Sequence, residues 1–245
     1  YVAGYDTDNV AIIDISDPSA PTLVADWDPN DISVMDGTRS VDVSGNYAYV
    51  TGSSSNLAIV DISSSTNPTL AANWDPNDTN VLDNASSVYV SGNYAYIAGD
   101  TSDNLVIVDI SSSTNPIFVA NWDPNDTNVM DGSQSVHVSG NYAYVAGYFS
   151  DNLAIVDISS STNPTLAFNW DPNDTNVMDA ANGVFISNDI AYVSGFNSRN
   201  VAIINTSVLE GSGEVSAPAE SLSISGNYTN NSIFTHNSGT VSFDG

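Results

Sequence analysis

The sequence predicts an all-β chain: a β-propeller of about five four-stranded antiparallel blades, incomplete at both ends, followed by a short C-terminal β tail. Three observations carry this. An asparagine that opens an apolar run recurs at Asn9, Asn56, Asn104, Asn152 and Asn200, spaced 47, 48, 48 and 48 residues apart, and periods of that size mark arrays, propellers or solenoids. Each period holds short runs of β-branched and aromatic residues cut by Gly, Asn, Pro and Ser, the pattern of strands and turns. No stretch shows the 3.6-residue period of a helix.

Residues 135–171 give the unit in full. Strand a is SVHVS, followed by a Gly-Asn hairpin turn. Strand b is YAYVAGY. Strand c, LAIVDIS, is almost continuously apolar, as expected of a strand packed between two neighbouring blades. After SSTNP, strand d is TLAFNW. The chain enters at strand b of its first unit, since YVAGYDTDNVAIID aligns with Tyr144 to Asp157, and its fifth unit stops at strand c, VAIIN, with no STNP or WDP after it. The expected organisation is a propeller over 1–208, a Gly/Ser/Pro-rich linker over 209–220 and a tail over 221–245. The tail alternates at Leu222/Ile224 and Val241/Phe243, and either donates a strand or begins a further domain. Open ladder edges cost about 1–3 kcal/mol per unpaired buried backbone group. Upstream residues, the tail or a strand from another molecule are the expected fillers.

Composition narrows the partners. Two Lys+Arg against 29 Asp+Glu give a net charge of −27, which disfavours nucleic acid and anionic membrane surfaces alike. No apolar run reaches the roughly 18 residues of a membrane span. Only Glu210, Glu214 and Glu220 are glutamates; the other acids are Asp at repeating positions. A general solvation strategy would scatter both types, so confined Asp points to turn chemistry or metal ligation.

The loop between strand d and the next strand a holds that Asp: WDPNDISVMDG from Trp27, WDPNDTNVLDN from Trp74, WDPNDTNVMDG from Trp122 and WDPNDTNVMDA from Trp170. In an up-and-down blade these loops and the b–c loops share one face. Seventeen of the 29 acidic residues fall there, while the SGN and SSTNP turns lie opposite. Crowded carboxylates repel by roughly 1 kcal/mol per pair in water, and calcium, which accepts six to eight oxygens in adaptable geometry, would relieve them. The expected ligand pool is Asp28, Asn30, Asp31 and Asp36; Asp75, Asn77, Asp78 and Asp83; Asp123, Asn125, Asp126 and Asp131; and Asp171, Asn173, Asp174 and Asp179. The competing reading is that Asp-Pro-Asn-Asp closes Asx turns and needs no ion. The first copy, with Ile32 and Ser33 for Thr and Asn, fits a metal least well.

NVAIIDIS, NLAIVDIS and NLVIVDIS, each followed by a turn and Pro, resemble the LVIVD-repeat family of bacterial and archaeal surface and secreted proteins. The resemblance covers roughly residues 1–205 and implies a β-propeller at the cell surface or outside the cell. FTHNSGTVSFDG, near the end, resembles units of large bacterial surface adhesins.

Other residues read as structural. Asp14, Asp61, Asp109 and Asp157 end strand c, but the fifth copy is Asn205, so a hydrogen bond to the following turn explains them without charge. The four Trp are expected to fill space between blades. His137 stands where other copies have Asp42, Tyr89 and Phe185, a tolerant position rather than a ligand. With no Lys, no Cys, no P-loop and no nucleophile elbow, no enzyme is expected. Asn77, Asn84, Asn125, Asn173, Asn205, Asn227 and Asn230 match the N-glycosylation pattern of an extracellular glycoprotein. The expected function is a non-enzymatic structural subunit of an extracellular filament or surface layer, self-associating, calcium-stabilised and joined by strand exchange. The alternative is an adhesion or glycan-binding module of a larger surface protein.

Overall fold

The computed structural model describes residues 1–126, 128–172, 175–206, 221–225 and 240–244. Two compact units divide the chain, Tyr1–Ile204 and Asn205–Gly245.

The first unit is a row of five antiparallel sheets, each formed by strands consecutive in sequence. Blade 1 holds β1 (Val2–Gly4), β2 (Asn9–Asp14) and β3 (Thr22–Trp27). Blade 2 holds β4 (Thr38–Ser44), β5 (Tyr47–Gly52), β6 (Leu57–Asp61) and β7 (Thr69–Trp74). Blade 3 follows with β8 (Ala85–Ser91), β9 (Tyr94–Gly99), β10 (Asn104–Asp109) and β11 (Ile117–Trp122), and blade 4 with β12 (Ser133–Ser139), β13 (Tyr142–Gly147), β14 (Asn152–Asp157) and β15 (Thr165–Trp170). Blade 5 has β16 (Ala181–Ser187), β17 (Ile190–Gly195) and β18 (Asn200–Asn205). Among the described residues blade 1 has no strand a and blade 5 no strand d, in line with the alignment of the repeats. One departure is a single helical turn, α1 (Thr175–Met178), in the loop before blade 5; four residues are too few for a helical period to register in the sequence.

Adjacent blades interlock through opposite faces. Leu57 and Ile59 of blade 2 pack with Ala95, Ile97, Val106 and Val108 of blade 3. Leu105 and Ile107 of blade 3 meet Ala143, Val145, Ala154 and Val156 of blade 4 in the same way. Strand c is therefore apolar on both faces because both are covered. The strands a, β4, β8, β12 and β16, lie side by side. Trp27 is buried in one interface, and Trp74 and Trp122 pack against the next two, which is the space-filling role expected of them.

Two bulges recur. Each c–d pair of the complete blades shifts register at one point, at Ile59/Val60, Ile107/Val108 and Ile155/Val156. Each a–b pair shifts between Thr38 and Ser40, Ala85 and Ser87, Ser133 and Ser135, or Ala181 and Gly183. Arg39, Ser86, Gln134 and Asn182 are the extra residues there. A bulge leaves its extra residue unpaired and re-aims it.

In the second unit β19 (Ser221–Ser225) and β20 (Thr240–Asp244) pair in parallel, with Leu222 opposite Val241 and Ile224 opposite Phe243. The alternating segments of the tail therefore pair with each other. The stretch read as a linker, 209–220, lies outside the described residues.

Candidate functional site

The b–c and d–a loops meet on one face. Backbone bonds tie them within each blade: Thr101 N donates to Asp83 O (3.2 Å) and Phe149 N to Asp131 O (2.9 Å). The repeating asparagine fixes the same junction. Asn152 Nδ2 donates to Asn128 O (2.7 Å), Val129 O (2.8 Å) and Asn169 Oδ1 (2.7 Å), and Asn56 Nδ2 to Ser33 O (2.9 Å), Val34 O (3.0 Å) and Asn73 Oδ1 (2.7 Å). Asn56, Asn104 and Asn152 are buried, so each amide satisfies loop carbonyls that would otherwise be orphaned.

Between blades, a b–c residue reaches forward to the next loop. Asp8 accepts from Gly37 N (2.6 Å), Ser55 Oγ from Asn84 N (2.9 Å), Asp103 from Gly132 N (2.8 Å) and Asp151 from Ala180 N (2.7 Å). These residues sit at φ between 50° and 60°, a left-handed conformation that the three Asp adopt at lower cost than most side chains. A second clasp joins neighbouring strands a: Ser40 Oγ accepts from Val88 N (3.2 Å), Ser87 Oγ from Val136 N (3.3 Å) and Ser135 Oγ from Val184 N (3.2 Å).

The expected metal ligands are engaged one by one. Asp28 accepts from Asn30 N (2.6 Å), Asp75 from Asn77 N (2.7 Å) and Asp123 from Asn125 N (2.7 Å). Asp31 accepts from Ser33, Asp78 from Asn80 and Asp126 from Asn128. These are Asx turns, with Asn30, Asn77 and Asn125 at positive φ. Asp83 accepts from Ser55 Oγ (3.3 Å) and Asp179 from Asn197 Nδ2 (3.1 Å). Asp36 and Asp131 lend backbone carbonyls to Ser54 N and Phe149 N, and Asp171 has a partner of its own. Asn173 and Asp174 lie outside the described residues. Among the described residues no group of three or more His, Asp or Glu side chains is placed to hold a metal ion. The opposite rim is not free of charge either. Asp14, Asp61, Asp109 and Asp157 each accept from the amide two residues on at 2.8 Å, the turn-capping role expected of them.

The face instead gathers a mixed cluster that the sequence did not flag. Arg39 Nη1 lies 3.7 Å from Asp100 Oδ2, and Arg39 Cζ sits 5.3 Å from the centroid of the Tyr5 ring. Asn84 Nδ2 donates to the same Asp100 oxygen (2.8 Å). Burial holds Asp100 and Asp103 above the ordinary carboxylate value of 3.8, against the opposing pull of the Gln134 and Arg39 contacts at Asp100 and the Gly132 amide at Asp103. Hydrogen bonds from Ser33 and Asn128 hold Asp31 and Asp126 below it.

The signs oppose. Depressed carboxylates stabilise the fold above 3.8 and lose that effect as pH falls through their lowered folded values; raised ones destabilise it when ionised and are relieved as pH falls toward 3.8. The net charge of −27 adds self-repulsion at pH 7. The melting temperature is therefore expected to rise from pH 7 into mild acid and to fall below 3.8. A maximum at neutral pH in a thermal melt series would contradict this balance.

Along the strands a, Tyr89, His137 and Phe185 form a ring column, with centroids at 4.4 Å and 5.1 Å. Burial lowers the pKa of His137, against Asp42. It is a packing residue, in line with the variability of its position.

Five blades of consecutive antiparallel strands, interlocked face to face, define a β-propeller. The chain belongs to the LVIVD repeat family, whose model matches residues 1–28, 37–75, 83–123 and 132–172. Blade 5 lies outside the matched segments. No curated protein sequence matches the chain. Among solved structures, a functionally unknown protein from Desulfotomaculum acetoxidans is similar at TM-score 0.60 and 14% identity, over 83% of this chain and 64% of that one. A putative 6-phosphogluconolactonase from Bacteroides uniformis gives 0.65 and 13%, over 82% and 62%. The Cps50 (Swd1) β-propeller domain of Myceliophteria thermophila gives 0.59 and 12%, over 80% and 62%. At such identities the likeness is one of fold alone. The chain spans a little under two thirds of the length of these structures.

Proposed function

We propose that the chain is a non-enzymatic structural subunit of an extracellular or cell-surface assembly, associating with further copies of itself through the ends of its blade array. One observation carries the reading. Leu57, Leu105 and Leu153 are 0% exposed, as are Ile59, Ile107 and Ile155, yet their equivalents in blade 5, Val201 and Ile203, are 57% and 69% exposed. Phe185 and Tyr192 on the same face are exposed too. A contiguous apolar face of this kind marks an association surface. The clasps are also missing there: Gly183 stands where Ser40, Ser87 and Ser135 accept, and Arg199 where Asp8, Asp103 and Asp151 accept. The face thus keeps its apolar residues without the polar groups that would hold another blade of the same repeat. Strand exchange through 221–225 and 240–244 is a second route to the same assembly. Calcium, on this reading, screens the acidic loop face, since Asx turns already engage Asp28, Asp31, Asp75, Asp78, Asp123 and Asp126.

Light scattering after size-exclusion chromatography tests the proposal. The full chain is expected to run as an oligomer, and the double variant Val201→Asp/Ile203→Asp as a folded monomer. Truncation after Thr206 separates the routes: end-face pairing survives it and strand exchange does not. Calcium is expected to strengthen association no more than magnesium at equal ionic strength. A monomeric full chain at all concentrations would reject the structural reading.

A further inference from the structure

We propose that the loop face carries a binding pocket for a neutral carbohydrate, set between blades 3 and 4. The cavity measures about 420 Å³ and is lined by Asp100, Thr101, Asp103, Asp131, Gln134, Tyr148 and Phe149, within the size range of small-molecule sites.

Its position is informative because the blades are otherwise near-copies. Where strand b ends, the five repeats carry Tyr5, Ser53, Asp100, Tyr148 and Phe196; at the strand-a bulge they carry Arg39, Ser86, Gln134 and Asn182. The repeat therefore diverges where its residues surround this cavity. A pocket that binds one ligand in one orientation needs such asymmetry, and a repeat selected for stacking alone does not.

The chemistry is that of a sugar subsite. Phe149 is 67% exposed, and its ring is fixed edge-on to Tyr148 at 5.1 Å and 84°. It lies over Gly132, where a Cβ would come within 2.6 Å of the ring, and the φ of +67° there also favours glycine. Held this way, the ring offers a flat apolar platform to the C–H face of a pyranose. Around it the Asp131 carboxylate and the Thr101 hydroxyl supply acceptors and a donor for ring hydroxyls, and the Gln134 amide, which already donates to Asp100, adds its carbonyl and its second N–H. The bulge aims Gln134 out of the ladder.

Charge decides the ligand class. Arg39 faces Asp100 at 3.7 Å and is thereby neutralised, which leaves no cation for a phosphorylated ligand. Asp100 is held by Arg39 and by Asn84, and Asp103 by the Gly132 amide, which leaves Asp131 as the one lining carboxylate open to a ligand, too few to cage an organic cation. A neutral polyhydroxylated ring fits what is left.

The test is a saturation-transfer NMR screen of the full chain. The probes are methyl glycosides of glucose, galactose, mannose and N-acetylglucosamine, with glucose 6-phosphate and Nα-acetyl-lysine methylamide as charged controls. At least one neutral glycoside is expected to bind with a Kd on the order of 1 mM, and to weaken at least about tenfold in both Phe149→Ala and Asp131→Asn. Phe149 is exposed and Asp131 lies in a loop, so both variants are expected to melt with the parent. Binding that both variants keep, binding by a charged control alone, or no binding by any glycoside would each overturn the assignment. None of these outcomes bears on oligomeric state, so the pocket and the assembly reading stand or fall separately.

Discussion

Ile107→Ala is expected to destabilise the propeller by about 2–5 kcal/mol, the range for truncating a fully buried aliphatic side chain. Ile107 is 0% exposed, clamped between its own blade and the strands of blade 4. The cavity left behind cannot collapse easily, because strand c is pinned on both faces and both edges. The same change at Ile203, the equivalent residue of blade 5, is expected to stay within about 0.5 kcal/mol in the monomer, as exposed substitutions do. Urea melts of the two variants at low protein concentration measure the contrast. At concentrations where the chain assembles, the Ile203→Ala cost should grow, since an end face buried in a partner behaves like an inner interface. Equal costs at both concentrations would mean that the exposed face of blade 5 is not an association surface.

Asn152→Ala is the second large effect. Its amide serves two loop carbonyls and the Asn169 side chain, and each buried carbonyl left without a donor costs about 1–3 kcal/mol. A loss on the order of 3 kcal/mol is expected, comparable to a core truncation although few apolar atoms are removed. Asn152→Asp separates packing from hydrogen bonding. It is nearly isosteric, but it sets an acceptor against Asn128 O and Val129 O, and it should destabilise more than alanine does. If Asp were tolerated, the amide would not be holding the loop. Hydrogen exchange at Val129 and Met130 would locate the damage in the entering loop.

The architecture was legible because the repeat prints its period five times, and strand order within a blade follows chain order, so no long-range pairing had to be guessed. The site was harder to read. Aspartate in WDPND is ambiguous in sequence, since an Asx turn and a calcium loop both call for short carboxylates beside Asn; only the distances from Asp75 to Asn77 and from Asp78 to Asn80 show turns being closed. The recurring Asn served as a period marker, but its partners lie 23 and 24 residues away, beyond any local pattern. Arg39 and Gln134 went unflagged because a bulge, unlike a turn, carries no Gly or Pro signature here. Their departure from the repeat was the available signal: in near-identical units, the residues that differ are the ones to explain.

The forward clasps have a consequence for how the molecule comes apart. Every inner blade is tied to its successor by nearly the same pair of hydrogen bonds and the same apolar contacts, so the array behaves as a one-dimensional chain of nearly equal couplings, with no interior weak link. Unfolding should then travel as a front that starts at an end. Blade 5, with Gly183 and Arg199 where its clasps would be and its outer face uncovered, is where that front should enter. Blade 3, coupled on both sides, should be the last to lose its protected amides.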